Sequence, residues 1–394
     1  MMNKIKIGLI FGGRSAEHEV SITSAKNILA ALDRSKYAVT AIAITRDGRF
    51  VTGAEESVLN YALFSARQEM LPNSMLSVYQ AGLQALKVEN GQTAIQKLEH
   101  ELLISRTTLP DAVHEQVSQA GLLSKLDVIF PVLHGTFGED GVIQALIRMI
   151  DVACVGCGVA ASAVAMDKIL TKQCLDAAGI PQVKWTWTNS EILESDYTRI
   201  ETIIASDFGG YPVFTKPANT GSSIGIIKVK SRTELLPALR EAARYDRRIL
   251  VEQAFKGREL EIAVLGNQRI VTSPCTSEII PKREFYDYIA KYQDDSTETV
   301  CPAPLTEDCF KRIQAYAIQA FRAIDGAGMA RIDFFFNENT NEIVLNEINT
   351  IPGFTSISQY PSLMLQGGYT YAGLIEELIQ LALERQESLK RLEI

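Results

Sequence analysis

The stretch GMARIDFFFNENTNEIVLNEINT, Gly328–Thr350, reads as two strands, Gly328–Phe336 and Glu342–Glu347, joined by an Asn-rich turn. Side chains alternate along a strand with period two, so Arg331 and Asp333 share one face. By the same rule Glu347 and Asn349, at the end of the second strand, share a face. Two carboxylates and an amide oxygen on adjacent strands make an oxygen-rich set suited to Mg²⁺, with nucleotide phosphates as further ligands. Arg331 beside them is placed to stabilise a transferring phosphoryl group or a tetrahedral intermediate. A plain cross-strand salt bridge is the simpler alternative. Both strands are otherwise apolar, so an uncompensated charge there is costly, and this favours a functional set.

Upstream, Val251-Glu252-Gln253-Ala254-Phe255, followed by Glu259, is a strand end with a carboxylate, backbone groups and a ring. It suits an adenine and its ribose, although an ordinary strand edge fits equally well. Before it, Tyr211–Lys216 and Ile224–Val229 read as strands flanking Lys216-Pro217-Ala218-Asn219-Thr220-Gly221-Ser222-Ser223-Ile224-Gly225. Small residues with a Lys at the base suit phosphate oxygens, because N–H groups approach them closely and Lys neutralises charge. It is not a Walker A loop, since no G-K-[ST] precedes a helix. Lys168, in Met166-Asp167-Lys168 at the start of a helix Asp167–Ala178, is a second basic candidate.

The N-terminal third reads as α/β. Lys4–Phe11 is a buried strand, Ser24–Leu32 lies in a helix, and Tyr37–Ile44 is a second strand, an order that predicts a parallel sheet. The Gly12–Ser21 run GGRSAEHEVS follows the first strand; G-x-G-x-x-G is absent, and acids opening a helix also serve the macrodipole. His134-Gly135-Thr136-Phe137-Gly138-Glu139-Asp140-Gly141 follows the strand Leu126–Val132 at its carboxyl end, where open parallel sheets bind ligands. A helix cap accounts for Asp140 but leaves His134 unexplained. Residues from about Gly53 to Ser124, including a helical stretch Thr93–Leu103, carry no motif and are read as elaboration of this domain. Tyr371–Leu383 is an amphipathic helix with Leu374, Ile375, Leu378 and Ile379 on one face.

Composition closes off other classes. At 394 residues the chain predicts two to four domains, at roughly 100–200 residues each. Its 46% hydrophobic and 22% charged content is that of a globular protein with a sizeable core, not a disordered or collagenous chain. A net charge of −8 without like-charge blocks argues against nucleic-acid or membrane-surface partners. The start, MMNKIKIGLIFGGR, does not read as a signal peptide. The uncharged run Val152–Met166 falls short of the ~20 residues that span a bilayer. A cytoplasmic protein is expected. Six cysteines in a chain this long are not a disulfide framework, and Cys154 and Cys157 read as small buried residues rather than a zinc site. His100 and His114 read as surface residues.

Eight motifs in order resemble a D-alanine–D-alanine ligase of the ATP-grasp superfamily. They are GGRSAEHEVS, HGTFGEDG, MDK, KPANTGSSIGI (Lys216–Ile226), EQAFKGRE (Glu252–Glu259), FYDYIAKY (Phe285–Tyr292), ARIDFFF (Ala330–Phe336) and NEINTIPGFTSIS (Asn346–Ser358). The resemblance runs from Lys4 to about Leu383. It implies an α/β fold: an N-terminal open parallel-sheet domain (1–160), then an ATP-grasp fold whose central (161–232) and C-terminal (233–394) subdomains clamp ATP. It implies that Lys168 and Lys216 contact ATP phosphates together with Ser222 and Ser223. Glu252, Gln253 and Phe255 would hold the adenine and Glu259 the ribose; position 253, often Lys in the family, is Gln here. Asp333, Glu347 and Asn349 would bind two Mg²⁺, with Mn²⁺ a substitute. Glu17 would receive the ammonium of the first D-alanine, His134 would lie near its carboxylate, and Ser222 and Tyr292 would join Glu17 in closing the site. A lid at Lys282–Thr299, with Tyr292 as latch, would exclude water. Arg331 and the Gly353 N–H would form an oxyanion hole, and Ser358 would bind the carboxylate of the second D-alanine. A homodimer serving peptidoglycan synthesis is the family's usual form. The rivals are a D-Ala-D-Ser or D-Ala-D-lactate ligase, another ATP-grasp ligase, and an inactive nucleotide-binding protein. Lactate users usually carry a His in the lid, and none lies between Phe285 and Val300.

Overall fold

The computed structural model describes residues 4–70, 121, 123–281 and 297–392. Tyr292, most of the expected lid, His100, His114 and Thr93–Leu103 lie outside the described residues.

The first sheet holds β1 (Ile5–Gly12), β2 (Tyr37–Ile44), β3 (Phe50–Gly53), β4 (Val128–Val132) and β5 (Ala153–Cys154), in the order β3-β2-β1-β4-β5. The β1–β2, β1–β4 and β4–β5 pairs are parallel. The parallel core is as expected, because β1 and β4 are apolar on both faces and therefore need cover on both. The added edge strand β3 pairs antiparallel with β2, having returned through a short turn after Ile44. The first helix spans His18–Ala31, beginning well before Ser24. Gly12 makes the entry possible: at φ 91° an added Cβ would lie 2.3 Å from the Ile44 carbonyl oxygen.

The central sheet is antiparallel, with β6 (Trp185–Asn189), β7 (Val213–Pro217), β8 (Ile227–Val229) and β9 (Arg248–Gln253) in the order β6-β9-β7-β8. Strand β9 follows residue 232 in the chain yet lies inside this sheet, and Ile249 and Val251 join its core. Strand β8 is shorter than Ile224–Val229, because Ser222, Ser223 and Gly225 all take left-handed backbone conformations.

The third sheet comprises β10 (Arg258–Gly266), β11 (Ile270–Thr272), β12 (Ser277–Pro281), β13 (Thr297–Val300), β14 (Gly328–Asn337) and β15 (Glu342–Asn349). Its order is β13-β12-β10-β14-β15, with β11 on β10, all antiparallel. The terminal helix runs Tyr371–Lys390, past Leu383, and its Leu374, Ile375, Leu378 and Ile379 share a core with Phe11 and Phe130 of the first sheet. The chain's end is thus packed against its beginning by burial of this apolar face. Among the described residues no helix is long and apolar enough to cross a membrane.

Candidate active site

A cavity of about 880 Å³ is lined by strands of the central and third sheets and, from the N-terminal unit, by Glu17, the first helix and the loop that follows β4. The β14–β15 hairpin forms one wall. In its register Arg331 faces Asn349 and Asp333 faces Glu347, so the face predicted by alternation is the one observed. A register shift follows Asp333, a local irregularity of the kind that re-aims side chains beside sites.

Arg331 is at once the salt bridge and the cluster that the sequence left as alternatives. Its Nε and Nη2 donate to the two Asp333 oxygens at 2.8 and 2.7 Å. Its Nε lies 3.1 Å from Glu261 and its Nη2 lies 4.0 Å from Glu347. Burial disfavours the guanidinium charge, but Asp333 and Glu261 overcome this and hold its pKa well above the ordinary value. Among the described residues, three carboxylates surround this one guanidinium. Glu347 is the open member, with a side chain 43% exposed, whereas Asp333 is buried behind Arg331 and does not line the cavity. The Asn349 side-chain oxygen accepts the Ile351 N–H at 3.2 Å. Among the described residues no three His, Cys, Asp or Glu form a ready metal cage. Mg²⁺ uses one or two carboxylates plus substrate phosphates, and the exposed Glu347 carboxylate beside Asn349 fits such a donor set. Glu261 was not singled out in the sequence. Its alternation with Glu259 on β10 was the available signal, since Glu261 pairs directly opposite Asp333.

The opposite wall is basic. Lys168 opens the helix Lys168–Ala177, whose Asp167 cap accepts the Ile169 and Leu170 N–H groups and pairs with Arg248 of β9. The cap therefore fixes the helix to the central sheet. The Lys168 ammonium donates to the Thr220 carbonyl, and burial lowers its pKa. Lys216 on β7 pairs with Glu252 on β9, and Lys172 reaches the same carboxylate at 3.1 Å. Burial would raise the Glu252 pKa, but Lys216 and Lys172 outweigh it and bring it to about 2. Lys172, one helical turn after Lys168, was missed because a single Lys in a helix carries no motif.

Between these walls the Gly221–Gly225 loop meets the N-terminal loops. Ser222 and Ser223 have φ of 52° and 59°, an uncommon conformation for two successive non-glycine residues. The Ser222 hydroxyl is buried without a hydrogen-bond partner among the described residues. Glu17, the residue before the first helix, is buried, and its carboxylate would lie 3.2 Å from a Cβ at Gly135 and 3.8 Å from one at Gly221. His134 places Nδ1 3.0 Å from the Ile351 carbonyl oxygen, which only accepts, so Nδ1 carries the hydrogen. Its Nε2 is buried without a partner among the described residues, and burial lowers its pKa. Glu139 accepts the Gly135 N–H at 2.6 Å, and burial together with the Glu17 charge raises its pKa to about 8. Asp140 accepts the Phe137 and Val142 N–H groups in the turn before the helix Val142–Met149, but the N-cap position itself falls on Gly141 rather than on Asp140 as expected. His18 serves the fold, with Nδ1 2.6 Å from the Gly13 carbonyl.

At the far end Ser358 precedes the helix Gln359–Gln366, and its hydroxyl oxygen accepts the Thr355 N–H at 2.9 Å. A Cβ at Gly353 would lie 2.6 Å from that oxygen, so a larger residue there would displace the Ser358 hydroxyl. Gly353 and Ser358 both line the cavity. Ser223, Gln253, Phe255 and Glu259 do not. The Gln253 amide donates to the Phe208 carbonyl at 2.7 Å, and Phe255 stacks on Phe335 at 5.8 Å. Cys154 and Cys157 are buried free thiols raised to about 11 by desolvation, as expected of core residues.

Family models described as D-ala D-ala ligase N-terminus and C-terminus match residues 6–157 and 174–380. The D-alanine--D-alanine ligase of Ruminiclostridium cellulolyticum is 42% identical over 99% of this chain and 98% of its own. That of Chloroherpeton thalassium is 43% identical over 99% of each chain. Among solved structures, the D-alanine-D-alanine ligase of Coxiella burnetii superposes with a TM-score of 0.73 at 32% identity, covering 98% of this chain and 96% of its own. The VanG D-Ala:D-Ser ligase of Enterococcus faecalis gives 0.74 at 31%, covering 96% of this chain and 100% of its own.

Proposed function

The chain belongs to the D-alanine–D-alanine ligase family, and from that premise we propose that it joins two D-alanines into D-Ala-D-Ala at the expense of ATP, for peptidoglycan precursor synthesis. The observation that supports this most is the pairing of an anionic and a cationic wall across one cavity. Such a cavity suits a metal–nucleotide complex whose phosphates face lysines and whose metal faces carboxylates.

Three units share the work. The N-terminal sheet holds the first D-alanine, with its ammonium at Glu17 and its carboxylate beside His134, whose imidazole gains proton affinity from that negative charge. The central and C-terminal sheets enclose ATP, an ATP-grasp arrangement. Lys168 and Lys216 take its phosphates, with the N–H groups of the Ser222–Ser223 turn. Glu252, Gln253 and Phe255 take the adenine, and Glu259 the ribose. Glu347, Asn349 and Asp333 would hold two Mg²⁺, which neutralise phosphate charge when bound.

A carboxylate is a poor acyl donor, so the carboxylate of the first D-alanine attacks the γ-phosphorus and ADP leaves. The amine of the second D-alanine then attacks the acyl carbon of D-alanyl phosphate. Arg331 and the Gly353 N–H stabilise the oxyanion, and inorganic phosphate departs. Ser358, at a helix N-terminus, binds the second carboxylate. Tyr292 joins Ser222 and Glu17 in shielding the intermediate from water. The proposal includes a homodimer acting in the cytoplasm.

The experiment is ATP-dependent phosphate release with D-alanine, L-alanine, D-serine and D-lactate, with products identified by mass and Mg²⁺ omitted in a parallel set. D-Ala-D-Ala formed only with D-alanine and Mg²⁺ is expected. A mixed D-Ala-D-Ser product would keep the mechanism and move the specificity. No turnover with any D-amino acid would overturn the ligase reading.

A further inference from the structure

Glu252 has two lysine partners where one would balance its charge. Lys216 approaches from β7 and Lys172 from the helix Lys168–Ala177, at 3.1 Å. Glu252 and Lys172 are buried, and Lys216 is more exposed than either. The proposed function gives Lys216 a second task at the nucleotide phosphates. When its ammonium moves there, Glu252 loses a counter-charge in a place where burial raises its pKa. Lys172 does not move with it, because its helix is capped by Asp167 and tied through Arg248 to the central sheet.

We propose that Lys172 is the positioning residue for Glu252, keeping that carboxylate ionised and oriented once Lys216 has gone to the phosphates, and thereby setting the preference for adenine over guanine nucleotides. The inference rests on the reading that Glu252 contacts the base. An ionised carboxylate only accepts hydrogen bonds, so it welcomes the exocyclic amine of adenine and repels the oxygen that guanine carries there. A protonated carboxyl donates as well and loses that discrimination.

The test compares Lys172→Met and Lys172→Arg with the native full-length chain, using ATP and GTP with D-alanine and Mg²⁺. Lys172→Met is expected to raise KM for ATP roughly tenfold and to reduce the ATP-over-GTP ratio of kcat/KM by a similar factor. KM for D-alanine should not move, and Lys172→Arg should restore most of the preference. A uniform fall in kcat, or equal rises in the ATP and D-alanine KM values, would mark a structural salt bridge and overturn the proposal. Should Lys172→Met fail to fold, Lys172→Gln decides, since it keeps a polar side chain beside Glu252 but removes the ammonium charge. A lowered nucleotide preference supports the proposal, and an unchanged one overturns it. A native chain that ligates nothing fails the parent reading; an active native chain whose variants keep their preference fails this inference alone.

Discussion

The two walls of the cavity are built as opposites. On the β14–β15 side one guanidinium, Arg331, is surrounded by Glu261, Asp333 and Glu347. On the central-sheet side one carboxylate, Glu252, is held by Lys172 and Lys216, with Lys168 coupled to both Glu252 and Glu347. Each wall alone is electrostatically unfavourable, because buried like charges repel and lack water. The opposite charge at each centre makes the cluster tolerable. Among the described residues, a wall rich in carboxylates and a wall rich in lysines face one another across a space of nucleotide size. The fold bears this cost where a charged ligand can offset it.

The largest effect that would break the comparison is at the centre of the anionic wall. Arg331→Met should lower kcat for ligation by about 10³, because it removes an oxyanion donor. It should also destabilise the protein by roughly 3–5 kcal/mol, since three carboxylates lose their counter-charge. Steady-state rates and denaturant unfolding read the two effects separately. A variant that is destabilised yet ligates at the native rate would reduce Arg331 to a structural centre. On the basic wall, Lys216→Met should lower kcat/KM for ATP roughly 100-fold. Its loss leaves Lys172 as a partner for Glu252, so the stability change should be smaller than for Arg331→Met. Equal stability losses would mean that the two walls are not redundant to different degrees.

The difference between the walls also explains what was legible in the sequence. The anionic wall lies on strands, where period-two alternation fixes which side chains meet, and Arg331, Asp333, Glu347 and Asn349 came together in the register expected. The basic wall depends on elements far apart in sequence: Lys172 and Glu252 are eighty residues apart, and no local pattern predicts their contact. Glu261 was hidden for a related reason, because its partner Asp333 sits on a strand reached only after the long excursion from β11 through the helix Glu307–Ala323. The core strands were readable from their apolar runs. The short β8 was not, because the two left-handed serines that delay it are a loop property that composition does not reveal.

A gentler probe compares two carboxylates of the same cavity. Burial pushes both Glu252 and Glu139 upward, yet Glu252 lies at about 2 beside lysines and Glu139 at about 8 beside Glu17. The signs of their stability contributions are therefore opposite. Glu252, lowered from 4.5, contributes stability that is present above its unfolded value and is lost as pH falls toward 2. That contribution is on the order of 3 kcal/mol. Glu139, raised from 4.5, contributes stability that is present below that value and is lost as pH rises through 8. Unfolding midpoints in urea, followed across pH, should show Glu252→Gln flattening the acidic arm and Glu139→Gln the alkaline arm. A Glu139→Gln variant that keeps the native alkaline slope would show that Glu139 does not carry it.

The smallest effect is expected outside both walls. Cys154 and Cys157 are buried, and their thiols are raised to about 11, so at neutral pH both stay protonated and are weak as nucleophiles or metal ligands. Cys154→Ala removes one sulfur from the core of the first sheet and should cost about 1 kcal/mol, leaving kcat and both substrate KM values unchanged. The Cys154 carbonyl accepts from Arg385 of the terminal helix at 2.9 Å, and this bond belongs to the backbone, which the substitution keeps. A change in substrate KM without a change in stability would show that the first sheet transmits packing at Cys154 to the loop carrying His134 and Glu139. The charged walls would then share control of the site with the apolar core beneath it.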